Sequence, residues 1–344
     1  MRYCLSKGMV PFLEVVVPSA STLSDSAEVL TDLDVVGIQA DTDGVLRCVF
    51  FDCKSSARMS PVNRAFWAAG VKNYVGYDRA YVILKSDPVS SHRFSALSCD
   101  VDLHSESSFK DLGRRLDEAF PCDQCYQSSI DRWQLVCQAY KKNQWSKETE
   151  FIAQSGVPLS SAPWISFRHI IAELLRTKGN YDPNKNEHLA IYLDVLASVM
   201  ILWCVLAKDI SRFFDSSMGR DSFESVLRYY LWGGREGYQM RQQVAKLARK
   251  KTTDLPAWRK LVDFAVLTVA APKCLLACAH AFREMSIRSV AQNDSNFDEA
   301  LTQMFGRDKR VRQFMLGMND YLISAAELPS DLGKCVESTL LNEL

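Results

Sequence analysis

Three charged side chains at strand spacing carry the chemistry that the amino-acid sequence offers. In "FDCKSS", residues 51–56, an acid and a lysine interrupt an apolar run. Residues i and i+2 of a strand point to one side, so Asp52 and Lys54 share a face while Cys53 points the other way, toward a core. The run before it, "LTDLDVVG", places Asp32 and Asp34 on one face by the same rule. If the two runs form a hairpin through "DTDG", Asp34 comes beside Asp52 across the sheet. Two carboxylates held that close repel, and a cation resolves the conflict. A hard divalent ion suits them: Mg2+, or Mn2+ in its place, accepts one or two carboxylates, a backbone carbonyl such as that of Cys53, and several waters. Such an ion lowers the pKa of a bound water and neutralises charge on a phosphate oxygen, while Lys54 holds the attacking water or steadies the charged phosphate. The chemistry so assembled is phosphodiester hydrolysis.

The elements that must position these groups are legible in the first third of the chain. "FLEVVVPS", "VLTDLDVVGIQ" and "VLRCVFFDCKS" are β-branched runs separated by turn residues, and they pair most simply as an antiparallel meander. "SPVNRAFWAAGVKNY" then reads as a helix: Ser60 caps it, Pro61 suits its first turn, and Phe66, Gly70 and Asn73 recur at helical spacing. "DRAYVIL" is a buried strand and "LSCDVDL" a weaker one, before a helix from about Ser105 to Phe120. After Pro121 helical periodicity dominates, as in "WISFRHIIAELLRTKG", where Phe167, Ile170, Ile171, Leu174 and Leu175 form one apolar stripe that Gly179 ends. This predicts two domains, an α/β domain over residues 1–120 and an all-α domain over residues 121–344.

"LTDLDV", followed eighteen positions after Asp34 by "DCK", resembles the PD-(D/E)xK superfamily of restriction-endonuclease-like nucleases. The continuation "SSARMSPVNRAFWAAGVKNYVGYDRAYVIL" is similar to the helix and strand that follow the motif lysine in bacterial restriction and phage-defence nucleases. The resemblance covers about the first 105 residues. It implies a mixed sheet flanked by helices, Asp34 and Asp52 as metal ligands, and Lys54 as catalytic base or stabiliser. Arg64 and Lys72, on the helix that follows, become phosphate contacts. It also implies an Mg2+-dependent endonuclease acting on nucleic acid, DNA before RNA, in bacterial defence or restriction. The motif proline is absent, and so is the glutamate that many members carry on a helix before the first strand; Glu14, the nearest acid, falls on a strand. A catalytically silent fold of this type, acting as an adaptor or in DNA repair, is the alternative.

The rest of the sequence bounds this reading. Formal net charge is zero, so nucleic-acid affinity has to come from a local patch. The densest one is residues 233–260, where Arg241, Lys246, Arg249 and Lys250 are the candidate phosphate contacts; "GRDKRVRQ" near Arg307 is a weaker copy. Eleven irregularly spaced cysteines and no secretory pattern point to reduced thiols and a cytoplasmic protein. "CDQC" at Cys122–Cys125 is half of a zinc motif with no second pair at a matching distance. "LAIYLDVLASVMILWCVLA", residues 189–207, has the length of a membrane span, but Asp194 inside it favours a buried helix in which the acid has a partner. His169 and His188 have no partner motif and read as packing or surface residues. Without a Walker-type loop, ATP-driven action needs another subunit; a second copy or a defence-system protein are the expected partners, and a membrane is not.

Overall fold

The computed structural model describes residues 1–19, 28–41, 45–54, 60–248, 253–306 and 308–342. The chain divides into two compact units, residues 1–41 with 46–130, and residues 131–344. The division falls after Ile130 rather than near residue 120. Phe120 packs against the first unit's aromatic core, and Asp123 pairs with Arg2, which ties this stretch backwards.

The first unit is a five-stranded mixed sheet in the order β1-β2-β3-β4-β5: Val10–Pro18, Val29–Ala40, Leu46–Lys54, Arg79–Leu84 and Val101–Ser105. The first three strands form the expected meander, with Val36 opposite Phe50. The tip of the "DTDG" turn, residues 42–44, lies outside the described residues. Strand β4 pairs parallel to β3, and β5 parallel to β4. Parallel neighbours need crossovers, which are supplied by α2 (Pro61–Val75) and α3 (Ser90–Leu97). Helices α1 (Arg2–Ser6) and α4 (Glu106–Leu116) complete the unit.

Each sheet face has its own cover. On one, Tyr3 of α1 and Phe109 of α4 close over Phe51 and Tyr81, whose rings stack at 4.8 Å, and the Tyr3 and Tyr81 hydroxyls lie 3.2 Å apart. The pleat turns Phe50 and Asp52 to the opposite face, where α2 lies. Ser60 caps α2 by accepting from the Asn63 N–H, and Ala65 and Ala68 are its buried apolar positions. Small residues there bring the helix axis close to the sheet. The face at the spacing of Phe66, Gly70 and Asn73 turns outward instead, with Phe66 exposed.

The second unit is helical: α5 (Ile130–Lys142), α6 (Lys147–Phe151), a π-helical turn at Ile152–Gly156, α7 (Pro163–Thr177), α8 (Asn186–Phe213), α9 (Arg220–Leu231), α10 (Arg235–Leu247), α11 (Trp258–Val269), α12 (Cys274–Val290), α13 (Ser295–Gly306), α14 (Lys309–Ala325) and α15 (Ser330–Asn342). Helix α8 is the axis. It packs along α12 and against α7 and α11, and its Trp203 meets Phe167 and Phe264 edge-on at 5.5 and 4.9 Å. Among the described residues α8 alone is, as a single helix, long and apolar enough to cross a membrane, and its apolar stretch is largely buried within the unit. Asp194 has partners there: Arg283 Nη1 of α12 lies 3.0 Å from Oδ1, and the Tyr140 hydroxyl and the Gln154 amide donate to Oδ2.

Candidate active site

The ladder between β2 and β3 runs to the Val35–Phe51 pair, and there the two strands part. Strand β2 stays with β1 as far as the Val29–Pro18 pair, while β3 stays with β4 through Lys54–Leu84. Asp34 and Asp52 face each other across this fork. The Asp34 carboxylate takes the place of a backbone acceptor: its Oδ2 receives the Cys53 N–H at 2.6 Å. Sequence alone brings these acids together through the hairpin register, and the structure does bring them together.

Lys54 joins them. Its ammonium lies 3.1 Å from Asp52 Oδ1 and 3.5 Å from Asp34 Oδ2, so one cation already serves both carboxylates. Burial pulls its pKa down, but the hydrogen bond and charge of Asp52, with the charge of Asp34, outweigh this and raise it above the usual 10.5. A lysine held protonated stabilises anions and does not accept a proton at neutral pH. Lys54 is thus an anion-stabilising group and not a base in this setting.

Arg64 is the member whose position the sequence did not reveal. It stands in the first turn of α2, and its Nε donates to Asp52 Oδ2 at 2.6 Å while Nη2 donates to Oδ1. The guanidinium lies 3.4 Å from the centre of the Trp67 ring, one helical turn on. Asp52 is thus closed in on both oxygens, with its side chain 3% exposed against 28% for Asp34. A hint was present in the Arg64-x-x-Trp67 spacing, which places the two on one helix face. Two acids and two cations make the cluster formally neutral.

Other candidates sit elsewhere. Cys53 is exposed, not in the core, because the apolar face of β3 ends at Phe51 in this direction. Lys72 is buried on the inner side of α2, near its C-terminal end, and pairs with Asp100 at 3.5 Å, so the structure does not bring it to the fork. Glu14 lies between the Leu13–Val35 and Val15–Leu33 pairs, in line with Asp34, and is exposed with a left-handed φ of 50°. Arg241 is half-buried with its guanidinium 5.0 Å from the centre of the Trp232 ring, Lys246 is exposed on α10, and Arg249, Lys250 and Arg307 lie outside the described residues. Cys122 is exposed and Cys125 buried, and among the described residues no group of three or more His, Cys, Asp or Glu is placed to hold a metal.

At the fork, Asp34 and Asp52 are the residues that could hold a hard cation. Mg2+ needs only one or two carboxylates and keeps its waters, and the Lys54 ammonium shows that Asp34 and Asp52 can share one positive charge. Compared with protein-family models, curated proteins and solved structures, the chain matches none.

Proposed function

We propose that the first unit is a restriction-endonuclease-like module that hydrolyses phosphodiester bonds of nucleic acid, DNA before RNA, with Mg2+ or Mn2+. The observation that carries the reading is the convergence of Asp34, Asp52 and Lys54 on one point of the strand fork. Asp34 and Asp52 would hold the ion, which when bound supplies charge neutralisation at a phosphate oxygen and a more acidic water. Lys54, kept protonated, faces the charge that builds on the phosphorus oxygens as the bond is cleaved. Arg64 would meet a neighbouring phosphate; in the second unit, exposed Lys246 is a separate candidate for backbone attraction that falls with salt. A role in bacterial defence or restriction is the context that the resemblance of the "LTDLDV" and "DCK" segments implies.

The test is cleavage by the purified chain of single-stranded and duplex DNA and of RNA, with Mg2+ and Mn2+. Lys54→Ala is expected to lower the rate by about a hundredfold or more, the usual effect of removing one preorganised donor, with the circular dichroism spectrum unchanged. Cleavage that survives Asp52→Ala overturns the assignment. A silent adaptor is the second reading, favoured by the closure of both Asp52 oxygens by Arg64. Wild-type protein that binds nucleic acid yet cuts none under either metal decides for it.

A further inference from the structure

We propose that Arg64 is a latch on Asp52 that makes cation loading depend on the arrival of a phosphate. The inference rests on the nuclease reading above and adds a rule for the order in which that site fills. Three observations support it. Arg64 holds Asp52 through two hydrogen bonds, so an incoming ion has to displace the guanidinium or share its carboxylate. The charge count is already balanced, with Asp34 and Asp52 against Lys54 and Arg64. The guanidinium also rests on the Trp67 ring, 3.4 Å from its centre, so its support does not come from Asp52 alone.

The consequence follows from Coulomb's law. A divalent ion entering a neutral, partly desolvated cluster leaves two uncompensated positive charges beside a guanidinium and an ammonium, which is unfavourable at separations of a few ångströms. A phosphodiester removes the excess if it arrives with the ion and accepts the released Arg64, for which a phosphate is as good a bidentate partner as a carboxylate. Ion and nucleic acid must then bind with positive coupling, and the coupling has to be reciprocal. Without substrate, the site stays latched.

Mn2+ binding, followed by calorimetry and by the paramagnetic signal of the free ion, reads this without any cleavage. For the wild-type chain, adding a phosphorothioate oligonucleotide, single-stranded or duplex, is expected to tighten Mn2+ binding by about tenfold or more. Arg64→Gln is expected to tighten Mn2+ binding in the absence of oligonucleotide by a similar factor and to abolish most of the coupling. Trp67, the sole tryptophan of residues 1–130, supplies a second readout that needs no change at Arg64. Its fluorescence, taken as the difference from Trp67→Phe, should change when both ligands are present and stay unchanged with either alone. Mn2+ that binds wild type and Arg64→Gln equally, with no effect of oligonucleotide, overturns the latch and leaves the nuclease reading standing. Mn2+ that binds no form of the protein, with oligonucleotide or without, removes both.

Discussion

The same three residue types meet more than once in this molecule, as in Asp254, Arg228 and Trp258, and two of the meetings stand in opposite settings. In the sheet unit Asp52 pairs with Arg64, which lies over Trp67; in the helical unit Asp194 pairs with Arg283, which lies over Trp133 at 4.6 Å. The surroundings differ. Asp194 and Arg283 are both fully buried, and the carboxylate also receives the Tyr140 hydroxyl and the Gln154 amide. Beside Asp52 stand Lys54 and Asp34, each 28% exposed. One trio is sealed inside a helix bundle and the other opens at a strand fork. A buried ion pair that solvent never reaches can hold helices in register; only one with a partly wet edge can exchange its protein cation for a metal ion, or its carboxylate for a phosphate.

The largest difference should appear when the acid is removed. Asp194→Ala leaves Arg283 buried without its carboxylate, and the helical unit is expected to lose about 3–5 kcal/mol. Asp52→Ala leaves Arg64 and Lys54 near solvent, and the sheet unit is expected to lose only about 1–3 kcal/mol. Urea unfolding checks both, with Trp67 fluorescence reporting the sheet unit separately because two units need not unfold together. Equal losses would remove the distinction between a sealed and an open trio.

A smaller effect sharpens the same contrast. Replacing the sealed pair together, Asp194→Leu with Arg283→Met, is expected to recover most of the stability lost by Asp194→Ala, since apolar packing often matches or exceeds a buried ion pair. If the double variant is no more stable than the single, the network specifies the bundle in a way that simple charge pairing does not explain. Gln154 is the place to look in that case. It stands on the π-helical turn whose Ala153 carbonyl accepts from Ser198 of α8, so the turn is tied to α8 at Asp194 and again one helical turn on.

How much of this was readable beforehand depends on how local each cause is. The meander and the meeting of Asp34 with Asp52 follow from strand alternation and one turn, and the sequence states both. The need of Asp194 for a partner was legible too, because a lone acid in an apolar helix has few alternatives. That the partner is Arg283 was not, since it sits on a helix far along the chain and nothing local selects it. Arg64 was visible as a cation on the right helix, but its grip on Asp52 depends on the rotation of α2 over the sheet. That rotation is set by Ala65 and Ala68, small residues that carry little periodic signal against Phe66. Helix α3 was missed for a related reason: Phe94 and Leu97 are exposed, so no buried stripe marks it. Phe120 and Asp123 pack backwards onto the sheet unit although the helical texture has already begun there, which periodicity alone does not show.

The smallest expected effect concerns acid, and it separates the helical unit from the Asp52 cluster, which contains no histidine. The Asp182 N–H donates to His188 Nδ1 at 2.9 Å, so that nitrogen carries no proton, and Nε2 donates to the Asn143 side-chain oxygen at 2.9 Å. Burial, then the charge of Lys185, lowers the pKa of this ring from its ordinary 6.5. In the unfolded chain the ring takes up its proton near 6.5, while in the folded chain it resists until lower pH. The unfolded state therefore binds more protons in that window, and stability falls as pH drops below 6.5 toward the folded value. Following the His188 ring by NMR should give a midpoint below 6.5, and Trp145, edge-on to that ring at 5.4 Å, should report loosening as it titrates. His188→Gln should flatten the acid limb of helical-unit stability. A His188 that titrates at or above 6.5 would mean that the Asp182 N–H does not hold Nδ1, and the packing of the α8 entry would have to be redrawn around a charged ring.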